Sequence, residues 1–208
     1  MKISYAIPVK DEFIEIQRLL TFLLENKDKE DEIVVLWDSK NGDRQVETYL
    51  RKMNVEKSLF RWYPYEFDGH FANMKNYLTS LCEGDWIVQL DADEMIGELF
   101  IPWVKGSIEA NSNVDAFFVP RINTVEGLTQ EHIQKWGWNV NDKGWINYPD
   151  LQQRIYTNSG KVKWKNKVHE VLEGQEHFGI FPNREDICIL HHKDIKRQEK
   201  QNEYYNTL

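Results

Sequence analysis

Cysteine is nearly absent from this chain. Cys82 and Cys188 are the only two, both in apolar surroundings, which leaves no disulfide framework and fits a reducing compartment. Long apolar runs are missing as well. No stretch approaches the length of a membrane span, and residues 1–8 are too short for the apolar core of a signal peptide. A soluble cytoplasmic protein, compatible with peripheral membrane contact, is therefore expected. Basic charge is in the minority: 26 Lys and Arg against 34 Asp and Glu give a net charge of −8, which argues against a general binder of nucleic-acid backbones. Glycine-rich phosphate grips are lacking too. Neither Gly-x-Gly-x-x-Gly after the first strand nor Gly-Lys-Ser/Thr occurs, which disfavours dinucleotide and P-loop sites. A chain of 208 residues is long enough for one substantial core and short for two, so a single domain over 1–208 is expected.

What the chain does contain is an alternation of strand and helix patterns. Residues 2–9 read as a strand that Pro8 should close, since proline cannot donate to a ladder. A helix opens at 10–12, with Ile16, Leu19, Leu20, Leu23 and Leu24 at helical spacing and Asp11 and Glu12 in its first turn. The continuous apolar run at 31–37 suggests a strand buried on both faces, as in a parallel sheet, and Asp38 stands at its end. A helix over 44–53, a strand over 59–63, a helix over 71–82 and a strand from 86 complete a βαβ series. The implied fold class is α/β, with a mostly parallel central sheet and helices on both faces. Further on, the pattern gives a helix at 99–110 and a strand at 114–121 whose Pro120 suggests a sheet edge. A stretch at 124–149 has little periodicity apart from a short helix at 129–135. A strand at 151–156 and a lysine-rich strand at 161–165 lead to Val168-His-Glu-Val-Leu172. An apolar strand at 187–192 and a charged helix at 194–205 follow.

Chemistry concentrates where the strand Trp86-Ile-Val-Gln-Leu90 runs into Asp91, Asp93 and Glu94. Strand alternation would turn Asp91 and Asp93 to one side, where two carboxylates repel unless a cation lies between them; a divalent ion carrying a phosphorylated substrate suits that place. The plainer reading is a solvated acidic turn. Glu12, Asp38 and the Asp91/Asp93 pair each follow a strand of the same sheet, so they should gather along its carboxyl edge. Asp38 reads equally as the first residue of an Asx turn and as an acceptor for a base or ribose. Trp136, Trp138 and Trp145, clustered with Asn139, Asn141 and Asp142, either plug the sheet or offer ring faces and amides to a carbohydrate. His169-Glu170 is a surface pair or a site, and His191 at a strand end is a metal ligand or a satisfied polar tip.

In order along the chain, Ile7-Pro-Val-Lys-Asp-Glu12, Asp31-Glu-Ile-Val-Val-Leu-Trp-Asp38, Phe71-Ala-Asn-Met-Lys-Asn76, Leu90-Asp-Ala-Asp-Glu94, Val119-Pro-Arg121, Gln153-Arg-Ile155, Val168-His-Glu170 and Leu190-His191 resemble glycosyltransferase family 2. The subgroup they are most similar to is the lipopolysaccharide-core glycosyltransferase-like one. This resemblance implies a GT-A, Rossmann-like fold with a smaller C-terminal acceptor-side region, and a chain divided into a nucleotide-sugar-binding half at 1–95 and an acceptor-binding half at 96–208. It implies an inverting transferase that takes a sugar from a UDP-, GDP- or dTDP-sugar donor to a carbohydrate or glycolipid acceptor, with Mn²⁺ or Mg²⁺. Donor-binding roles then fall on Pro8, Lys10, Glu12, Asp38, Lys75, Asp91, Ala92, Asp93 and Arg154, with Asp38 and Lys75 near the base. Metal ligation falls on Asp91, Asp93 and His191, and the catalytic base on Glu170, with His169 next. Two other classes fit an acidic site on such a sheet: a sugar-phosphate nucleotidyltransferase and a catalytically silent carbohydrate-binding module. A nucleotidyltransferase would carry a glycine-rich basic loop where Pro8-Val-Lys-Asp-Glu12 stands.

Overall fold

Among the described residues, 1–57 and 59–205 of a computed structural model, nine strands share one sheet in the order β3-β2-β1-β4-β7-β6-β11-β5, with β10 attached to β6. The first four form the expected parallel unit: β1 (Ile3–Val9), β2 (Glu32–Asp38), β3 (Arg61–Tyr65) and β4 (Trp86–Gln89), linked by α1 (Phe13–Asn26), α2 (Arg44–Lys57) and α3 (Phe71–Ser80). Ile33 to Leu36 of β2 are essentially sealed from solvent, as a strand covered on both faces requires. The buried stripe of α1, Ile16, Leu19, Leu20 and Leu23, packs with Val46 and Leu50 of α2 and with α4 (Phe100–Ala110) on one face of the sheet. Met74 and Leu78 of α3 cover the other face, together with Trp164 and Leu172. Those two belong to a separate antiparallel hairpin, β8 (Lys163–Lys165) with β9 (Val171–Glu173). Helices on both faces confirm the α/β class.

Beyond β4 the sheet becomes mixed. β7 (Ile146–Thr157) runs antiparallel between β4 and β6 (Ala116–Glu126). β11 (Ile189–Asp194) lies parallel to β6 and antiparallel to the two-residue β5 (Glu94–Met95). β10 (Phe178–Ile180) lies parallel to the start of β6. α6 (Ile195–Tyr205) ends the described chain. The crevice between β1 and its two neighbours, at their carboxyl ends, is where the strand order reverses and where such sheets take ligands. β6 and β7 overshoot that rim, and α5 (Gln130–Trp136) sits in the connection between them, capped by Thr129.

Several expectations are corrected. α1 begins at Phe13, one residue after Glu12, because the Glu12 carboxylate turns back onto its own loop. β1 continues through Pro8 to Val9, pairing with β2 along that length but with β4 only as far as Ala6. Ala6 turns its carbonyl to Leu90 on the β4 side, so the donor Pro8 lacks would face a position past the end of that ladder. β6 is an interior strand, not an edge. Pro120 fits there because its nitrogen faces the gap between β10, whose pairing stops at Phe118, and β11, whose pairing starts at Arg121. The aperiodic stretch shrinks accordingly, since β6 reaches Glu126 and β7 starts at Ile146. Asp91 to Asp93 form a turn after β4, closed by the Glu94 N–H donating to the Asp91 carbonyl at 2.9 Å. Strand alternation does not govern them, and the two carboxylates face different partners.

Candidate active site

Three of the four parallel strands, β1, β2 and β4, lead into acidic residues on the rim. After β1, Glu12 Oε2 accepts from the backbone N–H groups of Lys10 (2.8 Å) and Asp11 (3.1 Å), while Oε1 accepts from Arg197 at 2.8 Å. After β2, the buried Asp38 closes an Asx turn, Oδ1 accepting from the N–H groups of Lys40 and Asn41, both at 3.0 Å. Gly42 completes this turn so tightly that a Cβ there would stand 2.2 Å from the Asp38 carbonyl oxygen. The turn reading of Asp38 therefore holds. Its position beside the end of β1 leaves it on the same rim as Pro8, while the Lys10 ammonium lies over the ring of Tyr204.

Asp91 anchors a charged network that sequence reasoning did not assemble. Arg154, buried on β7, donates to Asp91 Oδ2 at 2.6 Å and to Glu94 Oε1 at 2.7 Å. Glu94 is fully buried; it also accepts from Arg121 at 2.9 Å and from the Asp91 N–H at 3.0 Å. Arg121 in turn binds Asp150, and Asp150 accepts from Asn123 Nδ2 at 2.8 Å. These are cross-strand neighbours on β6 and β7, far apart in sequence, so no local spacing announces them. Two arginines share the Glu94 carboxylate, and its removal strands buried charge. Glu94→Gln is expected to cost about 3 kcal/mol, the low end for a broken buried pair because each arginine keeps a second carboxylate. A drop in urea midpoint with unchanged m-value would show it.

Asn123 carries the network to the second Asp. With its Nδ2 donating to Asp150, its Oδ1 faces His191 Nδ1 at 2.7 Å and must accept, which places the ring proton on Nδ1. The Nε2 lone pair of a neutral His191 then points at Asp93 Oδ2, 3.4 Å away. Two lone-pair donors face each other across that gap, an arrangement that suits a cation between them, and a backing hydrogen bond on the far ring nitrogen is usual for a metal-bound histidine. The residues fit a divalent ion in that sense. Asp91 stands apart from this pair, turned toward Arg154. Among the described residues no three His, Cys, Asp or Glu side chains converge on one point. Lys193 and Arg197 also approach Asp93 Oδ2, each at 3.7 Å, and neither was singled out from the sequence. Their only sequence signal is spacing: His191 and Lys193 share a strand face and Arg197 follows in the first turns of α6.

On the other side of Asp91, α3 and the β8–β9 hairpin present Glu170. Asn76 grips the hairpin at both backbone groups of Trp164 (2.9 and 2.8 Å), and Trp164 Nε1 donates to Tyr156 at 3.0 Å. Lys75 is buried against the Trp164 ring, 4.5 Å from its centroid, and its ammonium stands 3.4 Å from Glu170 Oε1. Lys75 thus meets the expected base, although the resemblance places it by the nucleotide. His169 is exposed with φ 53°, a left-handed conformation that costs energy in a non-glycine residue. Ala92 is buried between the two aspartates.

The charges are set by their partners. Burial alone would raise the Asp91 carboxyl, but Arg154 and then Lys75 outweigh it and bring it to about 2. Asp93 is likewise driven far below the ordinary range, against burial, by the neighbouring His191, which has this effect only when its ring is charged, and by Lys193 and Arg197, which keep it when the ring is neutral. Asp150 is lowered by Arg121 and Asn123 despite its burial. Burial lowers Lys193, with Asp93 opposing, and burial raises Glu12 more than the Lys10 N–H lowers it. Folded-state values below the unfolded value of about 3.9 mean that Asp91, Asp93 and Asp150 add stability that is fully present above about pH 4. That contribution fades as pH falls through their folded values. Glu12 acts in the opposite sense. The unfolding free energy is therefore expected to be lower at pH 3 than at pH 6, measured by urea titration at both; equal values would contradict these assignments.

The model of glycosyl transferase family 2 matches residues 4–172. The crystal structure of S. aureus TarS 1–349 in complex with UDP aligns with a TM-score of 0.64 at 16% identity, covering 92% of this chain and 60% of that one. The complex of TarS 1–349 with UDP-GlcNAc aligns with a TM-score of 0.62 at 13% identity, covering 93% and 59%. GalNAc-T7 with UDP, GalNAc and Mn²⁺ aligns at 0.50 and 13% identity, over 60% of this chain and 23% of that one. The chain thus spans about 60% of the TarS segment it resembles. No curated protein sequence matches it, and among the described residues no helix is long and apolar enough to cross a membrane. With a family model matching most of its length, and a GT-A-like sheet carrying its acidic residues on the carboxyl rim, the chain belongs to glycosyltransferase family 2.

Proposed function

We propose that this chain is a divalent-metal-dependent, inverting glycosyltransferase that moves a sugar from a nucleotide-diphosphate sugar to a hydroxyl of a carbohydrate or glycolipid acceptor. The observation that carries this reading is the Asp93–His191 pair, with its Asn123-fixed imidazole, standing on the same rim as Asp91, Arg154, Lys75 and Glu170. Asp93 and His191 would hold Mn²⁺ or Mg²⁺, and a bound ion there supplies Lewis-acid stabilisation to a departing diphosphate. Pro8, Lys10, Glu12 and Asp38 line the side of the rim assigned to the nucleoside. Asp91 and Ala92 lie between the two halves of the site, and Arg154 brings positive charge beneath them.

Transfer then needs only displacement at the anomeric carbon. Glu170 accepts the proton of the acceptor hydroxyl, that oxygen bonds to the anomeric carbon, and the carbon–phosphate oxygen bond breaks with its electron pair leaving on the nucleoside diphosphate. Attack from the face opposite the leaving group inverts the centre. The neighbouring TarS complexes hold UDP and UDP-GlcNAc, which makes uridine the first donor base to test. The subgroup expected from sequence, lipopolysaccharide-core-like, points to a glycan or glycolipid acceptor. A panel of nucleotide sugars with and without Mn²⁺ tests the reading. Release of nucleoside diphosphate supports it; formation of pyrophosphate identifies a nucleotidyltransferase, and neither product identifies a silent binding module.

A further inference from the structure

We infer that Lys193 and Arg197, from the end of β11 and the start of α6, form a clamp for the donor's diphosphate that works alongside the metal and gives the site affinity for diphosphate without it. This inference rests on the reading above and adds residues to it. Three nitrogens converge on the single oxygen Asp93 Oδ2, from His191 at 3.4 Å and from Lys193 and Arg197 at 3.7 Å each. Neither cation is at hydrogen-bond distance from it. Lys193 is only 6% exposed, and among the described residues its ammonium makes one hydrogen bond, to Gln201 Oε1 at 2.6 Å. An ammonium has three donors, and with one spent on Gln201 and Asp93 standing at 3.7 Å, Lys193 keeps donors that a ligand oxygen on the rim can take. Arg197 is fixed by both terminal nitrogens, Nη1 donating to Glu15 and Nη2 to Glu12 at 2.8 Å each, while Nη2 leans toward Asp93; each nitrogen keeps a second N–H.

Charge development argues for the same occupant. When the sugar leaves, the diphosphate gains one negative charge, and an ion partly neutralised by Asp93 does not match it alone. Fixed cations at the point where charge appears stabilise it without reorganisation. Arg197, its fork already on Glu12 and Glu15, has one further N–H on each terminal nitrogen for a phosphate oxygen, and lysine offers a point charge, so one of each, converging on one rim oxygen, suits the two phosphates of a diphosphate. The exposed lysines of the hairpin, Lys163 and Lys165, lack this convergence.

Isothermal titration of the full chain with UDP and with inorganic pyrophosphate, in EDTA and again in Mn²⁺, tests the clamp. Wild-type protein is expected to bind both in EDTA, more tightly with Mn²⁺. Lys193→Gln and Arg197→Gln are each expected to lose about tenfold in EDTA, about 1.4 kcal/mol, with Lys193→Arg retaining most of the affinity. Lys29→Ala, at the opposite end of the sheet, should bind as wild type. Far-UV circular dichroism identifies any variant that fails to fold, in which case Lys193→Arg and Arg197→Lys carry the comparison. Binding in EDTA that survives both Gln substitutions overturns the clamp and leaves the transferase reading standing, as does wild-type binding that requires Mn²⁺. Absence of binding to UDP and to pyrophosphate under both conditions overturns the two together.

Discussion

Asp93→Ala is expected to abolish donor turnover while the fold persists. Asp93 lies in the turn after β4, outside both apolar clusters, so no packed side chain is lost. The cations around it keep other partners: Lys193 its bond to Gln201, Arg197 its bonds to Glu12 and Glu15. The stability cost should stay near the about 1–3 kcal/mol of one unsatisfied polar group, well inside the total of an ordinary domain. Function has no such reserve. His191 cannot hold a divalent ion alone, and the stabilisation lost at the leaving group amounts to several kcal/mol, or about a thousandfold or more in turnover. The sharp signature is a divergence between two measurements. Turnover of the nucleotide sugar and the Mn²⁺-dependent gain in UDP affinity should both vanish, whereas pyrophosphate binding in EDTA should persist or tighten, because the clamp no longer shares its charge with Asp93. A variant with wild-type turnover would refute the assignment of Asp93.

How much of this was legible in the sequence follows from the range of the interactions involved. β1 to β4 and their crossover helices announce themselves because period and burial are local: Ile16 to Leu23 at helical spacing, Ile33 to Leu36 as a continuous apolar run. The individual candidate residues were visible as well, since Asp91, Asp93, Arg154, Glu170 and His191 sit in short recognisable strings. Their partners were not. Glu94, Arg121, Asn123 and Asp150 become one network only through the antiparallel register of β6 on β7 and the parallel register of β11 on β6. That register was hidden by reading Pro120 as an edge signal, although its missing donor falls in a gap between two partner strands. A charged helix such as α6 reads as a solvated surface, which concealed Arg197; only its docking on α1 through Glu12 and Glu15 turns one of its charges inward. Lys75 shows the same dependence, because the partner that defines it arrives on the β8–β9 hairpin about ninety residues later.

Glu170→Gln is expected to retain donor binding and lose transfer. The side chain keeps its shape, and an amide oxygen can still face the Lys75 ammonium that now stands 3.4 Å from the carboxylate, so the hairpin pinned by Asn76 and Trp164 has no reason to move. What disappears is the capacity to take the acceptor's proton, a contribution of about 10²–10⁴ in kcat for general-base catalysis. The donor's KM should change little, because Arg154, Asp91 and the Asp93–His191 pair lie on the far side of Lys75. Lys75 sharpens the test. With the base neutral, Asp91 still faces its charge, and any shift of Lys75 toward the donor would tighten nucleotide binding while kcat collapses. Loss of nucleotide binding in Glu170→Gln would instead give Glu170 a structural part, through Lys75. Unchanged kcat would move the base elsewhere, with His169, one residue away in its strained left-handed conformation, the next residue to replace.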